Sequence, residues 1–196
     1  LALTLGAFVT FGLILGTLNN VGARSVGVAV DEYGMVPDAL EHSLHQLSAQ
    51  GELPRVKAIY LVPYYDNPCG MTMPLERRAR IVEMARRWSD GQQIHVIADE
   101  AYRDLRYRGD DVPSTLTVDD EGDTVVVTGT FSKSFAPGIR IGWGVLPPHL
   151  IGPVCNQKGN IDFGSPNFNQ HLMAEILERG LFEPHLARIQ ASYRQK

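Results

Sequence analysis

Three short, nearly continuous apolar runs limit what this chain can fold into more than any other feature: 56–62 (VKAIYLV), 94–98 (IHVIA) and 124–128 (TVVVT). They are rich in β-branched residues and shorter than a self-sufficient helix, so they read as strands. Runs without polar alternation suit strands covered on both faces rather than half-exposed ones. Stretches of helical spacing alternate with such strands over about a hundred residues. That alternation implies a mainly parallel sheet with helices on both sides, an α/β fold of three-layer α/β/α type.

The remaining punctuation agrees. Residues 24–30 (RSVGVAV) read as a strand entered through a turn at Gly22, followed by a turn at Gly34. A helix starts at Pro37, carries Leu40, Leu44 and Leu47 as an inward stripe, and ends at Gly51. Pro74 opens a second helix, with Leu75, Ala79, Val82, Ala85 and Trp88 at helical spacing and a stop at residues 89–91. Residues 138–145 read as a further strand. Helical patterns begin at Pro147 and run from Pro166 to about Gln195.

The first eighteen residues carry no charge and just reach membrane-spanning length. They have no basic flank and no small-residue cleavage signal, and glycines and threonines dilute them. A start inside a buried α/β core is the expected reading, with no membrane partner. The formal charge of −4 supplies no basic footprint for nucleic acid. Arginines 77, 78, 80, 86 and 87 alternate with acidic and apolar positions, which predicts a solvated helix face. Cys69 and Cys155 form no metal or disulfide spacing, and this fits a reducing, cytoplasmic setting. His42 and His45 lack a third ligand, so no metal is expected.

The chemistry gathers after the 124–128 run, in residues 128–143 (TGTFSKSFAPGIRIGW). Lys133 follows the apolar strand closely. It either reaches out to water or sits in a partly desolvated pocket, where a lowered pKa would make its amine nucleophilic. Thr130, Ser132 and Ser134 offer hydroxyls, and Arg140 offers a fork-shaped cation. Together these suit a phosphate, and a reactive amine beside a phosphate points toward pyridoxal phosphate.

In open α/β sheets, ligands bind beyond the carboxyl ends of the strands. The 56–62 strand ends near Asn67, the 94–98 strand at Asp99, and the 124–128 strand near Lys133. If these strands are neighbours, an amide, a carboxylate and an amine face one crevice. Each residue also has a plainer reading. Asn67 shapes a turn before Pro68, Asp99 and Glu100 form a helix cap, Tyr102 packs under the sheet, and Lys133 is solvated.

Residues 63–70 (PYYDNPCG), 98–105 (ADEAYRDL) and 130–143 (TFSKSFAPGIRIGW) resemble the three large-domain signatures of fold-type-I pyridoxal-phosphate aminotransferases. The resemblance is to the class I/II branch that includes 2-aminoadipate and kynurenine aminotransferases and related regulator domains, and it covers about residues 20 to 160. It implies an aspartate-aminotransferase-like large domain, incomplete here, over 1–160, with 161–196 a helical segment leading toward a C-terminal small domain. It implies that Lys133 holds the cofactor as a Schiff base and later moves the substrate's α-proton. Asp99 is implied as the carboxylate paired with the pyridinium nitrogen, which keeps the ring an electron acceptor. Tyr102 and Asn67 are implied as hydrogen-bond partners of the cofactor's phenolic oxygen. Thr130, Ser132 and Arg140 are implied as phosphate ligands. Residues 9–12 (VTFG) resemble a stretch whose aromatic ring stacks on the pyridine. Phe11 would be that ring, or an ordinary core phenylalanine.

Cys69 stands where the family more often has threonine, and Thr130 where serine is usual. The family's upstream phosphate loop and downstream carboxylate-binding arginine find no match in the chain. The expected activity is transfer of an amino group between an amino acid and a 2-oxo acid, by a homodimer. The alternatives are the non-catalytic, cofactor-binding effector domain of a transcription regulator and an inactive truncated remnant.

Overall fold

The structure, a computed structural model, describes residues 3–6 and 12–195. Chain contacts divide it into two units. One comprises the chain up to Glu100 with Val112–Val127, and the other comprises Ala101–Asp111 with the chain from Thr128 onward.

The first unit holds, in order, β1 (Leu3–Gly6), α1 (Gly12–Asn20), β2 (Arg24–Gly27), β3 (Val30–Asp31), β4 (Gly34–Met35), α2 (Pro37–Ala49), β5 (Val56–Leu61), α3 (Leu75–Arg87), β6 (His95–Asp99) and the first half of β7 (Val125–Thr130). Its sheet runs β2-β1-β5-β6-β7. β1 is parallel to β2 and to β5, and β5 is parallel to β6. The expected parallel α/β architecture is therefore present. β3 and β4 form a separate antiparallel pair, so the single strand expected at 24–30 is two strands in different sheets. The chain turns between β3 and β4 at Glu32 and Tyr33, and at Gly34 (φ +93°), which opens β4, a Cβ would lie 2.9 Å from Met73 Cε.

Within the apolar start of the chain, β1 is core, whereas the described side chains of α1 are part-buried or exposed. All four residues of β1 are buried, with Leu3 and Leu5 at 0% exposure. No described helix is long and apolar enough to cross a membrane. Leu40, Leu44 and Leu47 of α2 are buried as their spacing requires. Pro37 opens that helix after an extended Val36, because the first turn needs no N–H from it. These leucines join Ile59, Leu61, Ile81, Val82, Val96, Val125 and Val127 in one cluster.

Helix α3 corrects the expectation of a solvated arginine face. Arg80 and Arg87 do lie outside, paired with Asp38 and Glu41. Arg78, by contrast, is wholly buried among Ile81, Val82, Met84 and Ala85. Arg77 pairs with Asp31 and Arg86 with Asp119, each at 2.5 Å. Charge spacing reports a helix face, but it does not report what the neighbouring chain brings to that face.

In the second unit the end of β7 leads into α4 (Phe131–Ser134) and then β8 (Gly142–Val145), the neighbour of β7 in the sheet. The strand expected over 138–145 is shorter, because Pro137–Ile139 form a 3-10 turn and Arg140 takes a left-handed conformation. α5 (Pro148–Asp162), α6 (Asn167–Glu178) and α7 (Phe182–Arg194) supply the expected helical region. Gly129 of β7 lies against the Trp143 indole of β8 so closely that a Cβ there would overlap the ring.

Candidate functional site

In the first unit, β6 turns Val96 and Ala98 to its buried face and His95, Ile97 and Asp99 to the less covered one. Tyr60 of β5 is in register with Ile97, so it is a diagonal same-face neighbour of Asp99, within reach of an aromatic side chain. Its hydroxyl donates to Asp99 Oδ2 at 2.8 Å. Glu100 points elsewhere: it is buried, and its Oε1 accepts from Ser114 Oγ and the Thr115 N–H, both at 2.9 Å. Asp99 thus stands beside Tyr60 at the sheet's C-terminal edge, while Glu100 fastens the 112–118 segment.

Asn67 is exposed on the loop between β5 and α3, and its bond to Pro68 is cis. The loop is closed at its tip, where the Asp66 N–H donates to Met71 O at 3.0 Å, and at its base, where the Met73 N–H donates to Pro63 O at 3.0 Å. Arg78 donates from Nε to Met73 O (2.9 Å), from Nη2 to Pro63 O (3.0 Å) and from Nη1 to Pro113 O (3.0 Å). Tyr64 lies beneath that guanidinium, and its hydroxyl lies 2.8 and 2.7 Å from the carbonyls of Val112 and Pro113. Beside Asn67, burial pushes the Asp66 carboxyl above its ordinary range, against a weaker downward pull from the Asn67 N–H.

In the second unit, Thr130 ends β7 with its hydroxyl accepting from the Ser132 N–H at 3.1 Å and donating to Ile141 O at 3.2 Å. Arg140 Nη1 reaches Ser132 Oγ at 3.4 Å and Pro137 O at 3.2 Å. The left-handed backbone of Arg140 (φ 54°, ψ 36°) turns this side chain back toward Ser132. Lys133 is exposed, so of its two expected environments the solvated one is found. Its Nζ lies 5.5 Å from the ring centre of the half-buried Tyr102.

Thr130, Ser132 and Arg140 are therefore neighbours, and Lys133 lies by Tyr102. Asn67 and Asp99 belong to the first unit. Phe11 lies outside the described residues. A serine hydroxyl beside a guanidinium presents only donors to an anion, which fits a phosphate. A carboxylate steadied by a neutral phenol fits a cationic ring nitrogen. Among the described residues no group of histidine, cysteine and acidic side chains could hold a metal. Tyr60, Tyr64 and Arg78 were not foreseen as parts of this region. Period-two alternation along 56–62 and 94–98 carries a trace of the first, since it sets Tyr60 and Asp99 on one face once the strands are paired.

The sequence profile of the family "Aminotransferase class I and II" matches residues 18–195. Aromatic-amino-acid aminotransferase 1 of Thermococcus litoralis is 34% identical over 171 residues, covering 87% of this chain and 39% of its own. An uncharacterized HTH-type transcriptional regulator of Bacillus subtilis, YisV, is 28% identical over 93% of this chain and 35% of its own. Among solved structures, the Pyrococcus horikoshii kynurenine aminotransferase in complex with PMP superposes with a TM-score of 0.91 at 31% identity. It covers 99% of this chain and 46% of that one. The chain spans less than half the length of these relatives.

Proposed function

Because the chain belongs to the class I and II aminotransferases, we propose that it acts in pyridoxal-phosphate-dependent transfer of an amino group between an amino acid and a 2-oxo acid. The observation that carries this reading is that Lys133 and Ser132, just after β7, lie by Tyr102 of the segment after β6 and by Arg140, respectively. When bound, pyridoxal phosphate supplies a carbonyl that accepts the amino group and a ring that accepts electrons.

The chain's own residues then have separate tasks. Thr130, Ser132 and Arg140 hold the phosphate. Asp99 faces the ring nitrogen as its counter-charge. Asn67 and Tyr102 donate to the phenolic oxygen. The Lys133 amine would hold the cofactor's carbonyl carbon and, when free, would take and return a proton at the substrate's Cα. Its exposure leaves the amine open to an incoming ligand. Phe11 is proposed as the ring that stacks on the pyridine. Domain boundaries at 1–160 and 161–196, a homodimer and a cytoplasmic location complete the proposal.

The test is spectroscopic. The chain supplied with pyridoxal phosphate develops a visible absorbance band that borohydride removes and that Lys133→Ala never forms. No band in the unmodified chain overturns the cofactor assignment. The similarity to YisV supports a second reading, an effector domain that binds the cofactor without turnover. A band with no 2-oxo acid released from any amino acid in a standard panel selects that reading, or that of an inactive remnant.

A further inference from the structure

Asp99 does not stand alone at the end of β6, and we propose that Tyr60 is the residue that positions it for the cofactor's ring nitrogen. The inference deepens the proposed function and rests on it. The Tyr60 hydroxyl lies 2.8 Å from Asp99 Oδ2, and its ring is held within the sheet at 4% exposure. Its backbone is fixed from both sides, in register with Gly6 of β1 and Ile97 of β6. A phenol so anchored has little freedom, so the donated proton sets the rotation of the carboxylate. The bond favours the rotamer that keeps Oδ2 at the phenol, and a carboxylate turned away from the ring nitrogen pairs with it less well.

The chemical type of the donor is part of the argument. Lysine or arginine at position 60 would also fix Asp99, but it would add a second cation beside the one the carboxylate must balance. It would also place an ionised side chain inside the sheet. A backbone amide cannot do it, since the N–H groups of β5 are directed along the sheet into the ladder. A tyrosine donates one hydrogen bond, adds no charge, and is long enough to reach across the diagonal between neighbouring strands. Phenylalanine would fill the same space without orienting anything. The Tyr60→Phe change therefore keeps the ring and removes the hydroxyl that donates to Asp99 Oδ2.

The decisive experiment is a double-mutant cycle on the full chain, using pyridoxal 5'-phosphate labelled with 15N in the ring. Tyr60→Phe, Asp99→Asn and the double variant are compared for cofactor dissociation constant and for the 15N shift of the bound ring. Thermal midpoints without cofactor are measured in parallel. Tyr60→Phe is expected to keep its cofactor-free midpoint within a few degrees. It should weaken cofactor binding roughly five- to tenfold and move the 15N resonance toward the unprotonated position. Asp99→Asn is expected to move both further, and the double variant to match Asp99→Asn.

A purely structural Tyr60 would show additive effects, so a full Tyr60→Phe loss persisting on the Asp99→Asn background overturns the proposal. So does a Tyr60→Phe variant indistinguishable from the unmodified chain. Failure of the unmodified chain to bind the cofactor overturns the proposed function itself, and that outcome is distinct from the other two.

Discussion

The guanidinium of Arg78 lies 4.1 Å from the centre of the Tyr64 ring, and both side chains converge on the carbonyl of Pro113, at 3.0 and 2.7 Å. Arg78 is fully buried, yet each hydrogen bond it makes goes to a backbone carbonyl. Three carbonyls and an aromatic face share the task of replacing its water.

Replacing that side chain should therefore be costly. Arg78→Met takes a donor from three carbonyls; those of Pro63 and Pro113 keep a second one, in the Met73 N–H and the Tyr64 hydroxyl, while Met73 O loses its described donor, at about 1–3 kcal/mol. We expect a loss of about 2 kcal/mol or more in chemical denaturation. Arg78→Lys keeps the charge but loses the fork, and should recover less than half of that loss. A Met variant as stable as the unmodified chain would show that the three bonds contribute nothing net.

Gly129 and Trp143 make a second prediction. Because the indole occupies the place of a Cβ at position 129, Gly129→Ala must displace it, at about 1–3 kcal/mol. Combining Gly129→Ala with Trp143→Ala should remove most of the penalty, since nothing remains to collide. An undiminished loss in the double variant would point instead to a backbone requirement at the glycine.

Two buried aspartates set opposite pH dependences. Burial pushes the Asp119 carboxyl up, but the N–H groups of Val125 and Thr124 and the Arg86 guanidinium outweigh burial and hold it below the ordinary range. Its stabilisation is thus complete above the unfolded aspartate value and is lost as pH falls through the lower folded one. Asp66, raised by burial, stabilises nothing at neutral pH. Its carboxyl is tolerated while protonated, and stability declines as pH climbs from the ordinary aspartate range through the raised value. Asp119→Asn should be less stable at pH 7 and converge with the parent in acid. Asp66→Asn should be more stable at pH 7 and also converge in acid. Denaturation midpoints across pH 3–8 check both signs.

Arg140 separates strain from chemistry. A non-glycine residue at φ 54° carries on the order of 1 kcal/mol of backbone strain. Glycine relieves it but loses a similar amount to the greater freedom of the unfolded chain. Arg140→Gly should accordingly hold stability within about 1 kcal/mol while weakening pyridoxal phosphate binding at least tenfold. Affinity for pyridoxal, which has no phosphate, should be unaffected. Equal losses for the two ligands would remove Arg140 from the phosphate site.

Much of this was legible in the sequence because local periodicity and tertiary burial agreed. The leucine stripe at 40, 44 and 47 and the runs at 56–62, 94–98 and 124–128 formed the elements they implied, and residues 3–6 of the apolar opening contributed a buried strand next to the sheet's edge. What stayed hidden depended on partners far along the chain. Tyr60 meets Asp99 from 39 positions away, and inside VKAIYLV it looks like any β-forming residue. Arg78 sits among arginines whose spacing suits a wet helix face. Only the carbonyls of Pro63, Met73 and Pro113, brought in by two separate turns, make its burial possible. The strand expected at 138–145 was cut short by the left-handed residue at Arg140, for which an arginine gives no local signal.

The loop that carries Asn67 enters and leaves through carbonyls gripped by the same guanidinium. Its two feet are riveted to α3, while Asn67, Cys69 and Gly70 at the tip project outward and are exposed. The placement of the loop and the identity of its tip are therefore separable properties. Natural variation, or a designer, can rewrite the tip's donors and reactivity one residue at a time and leave the core beneath it unchanged.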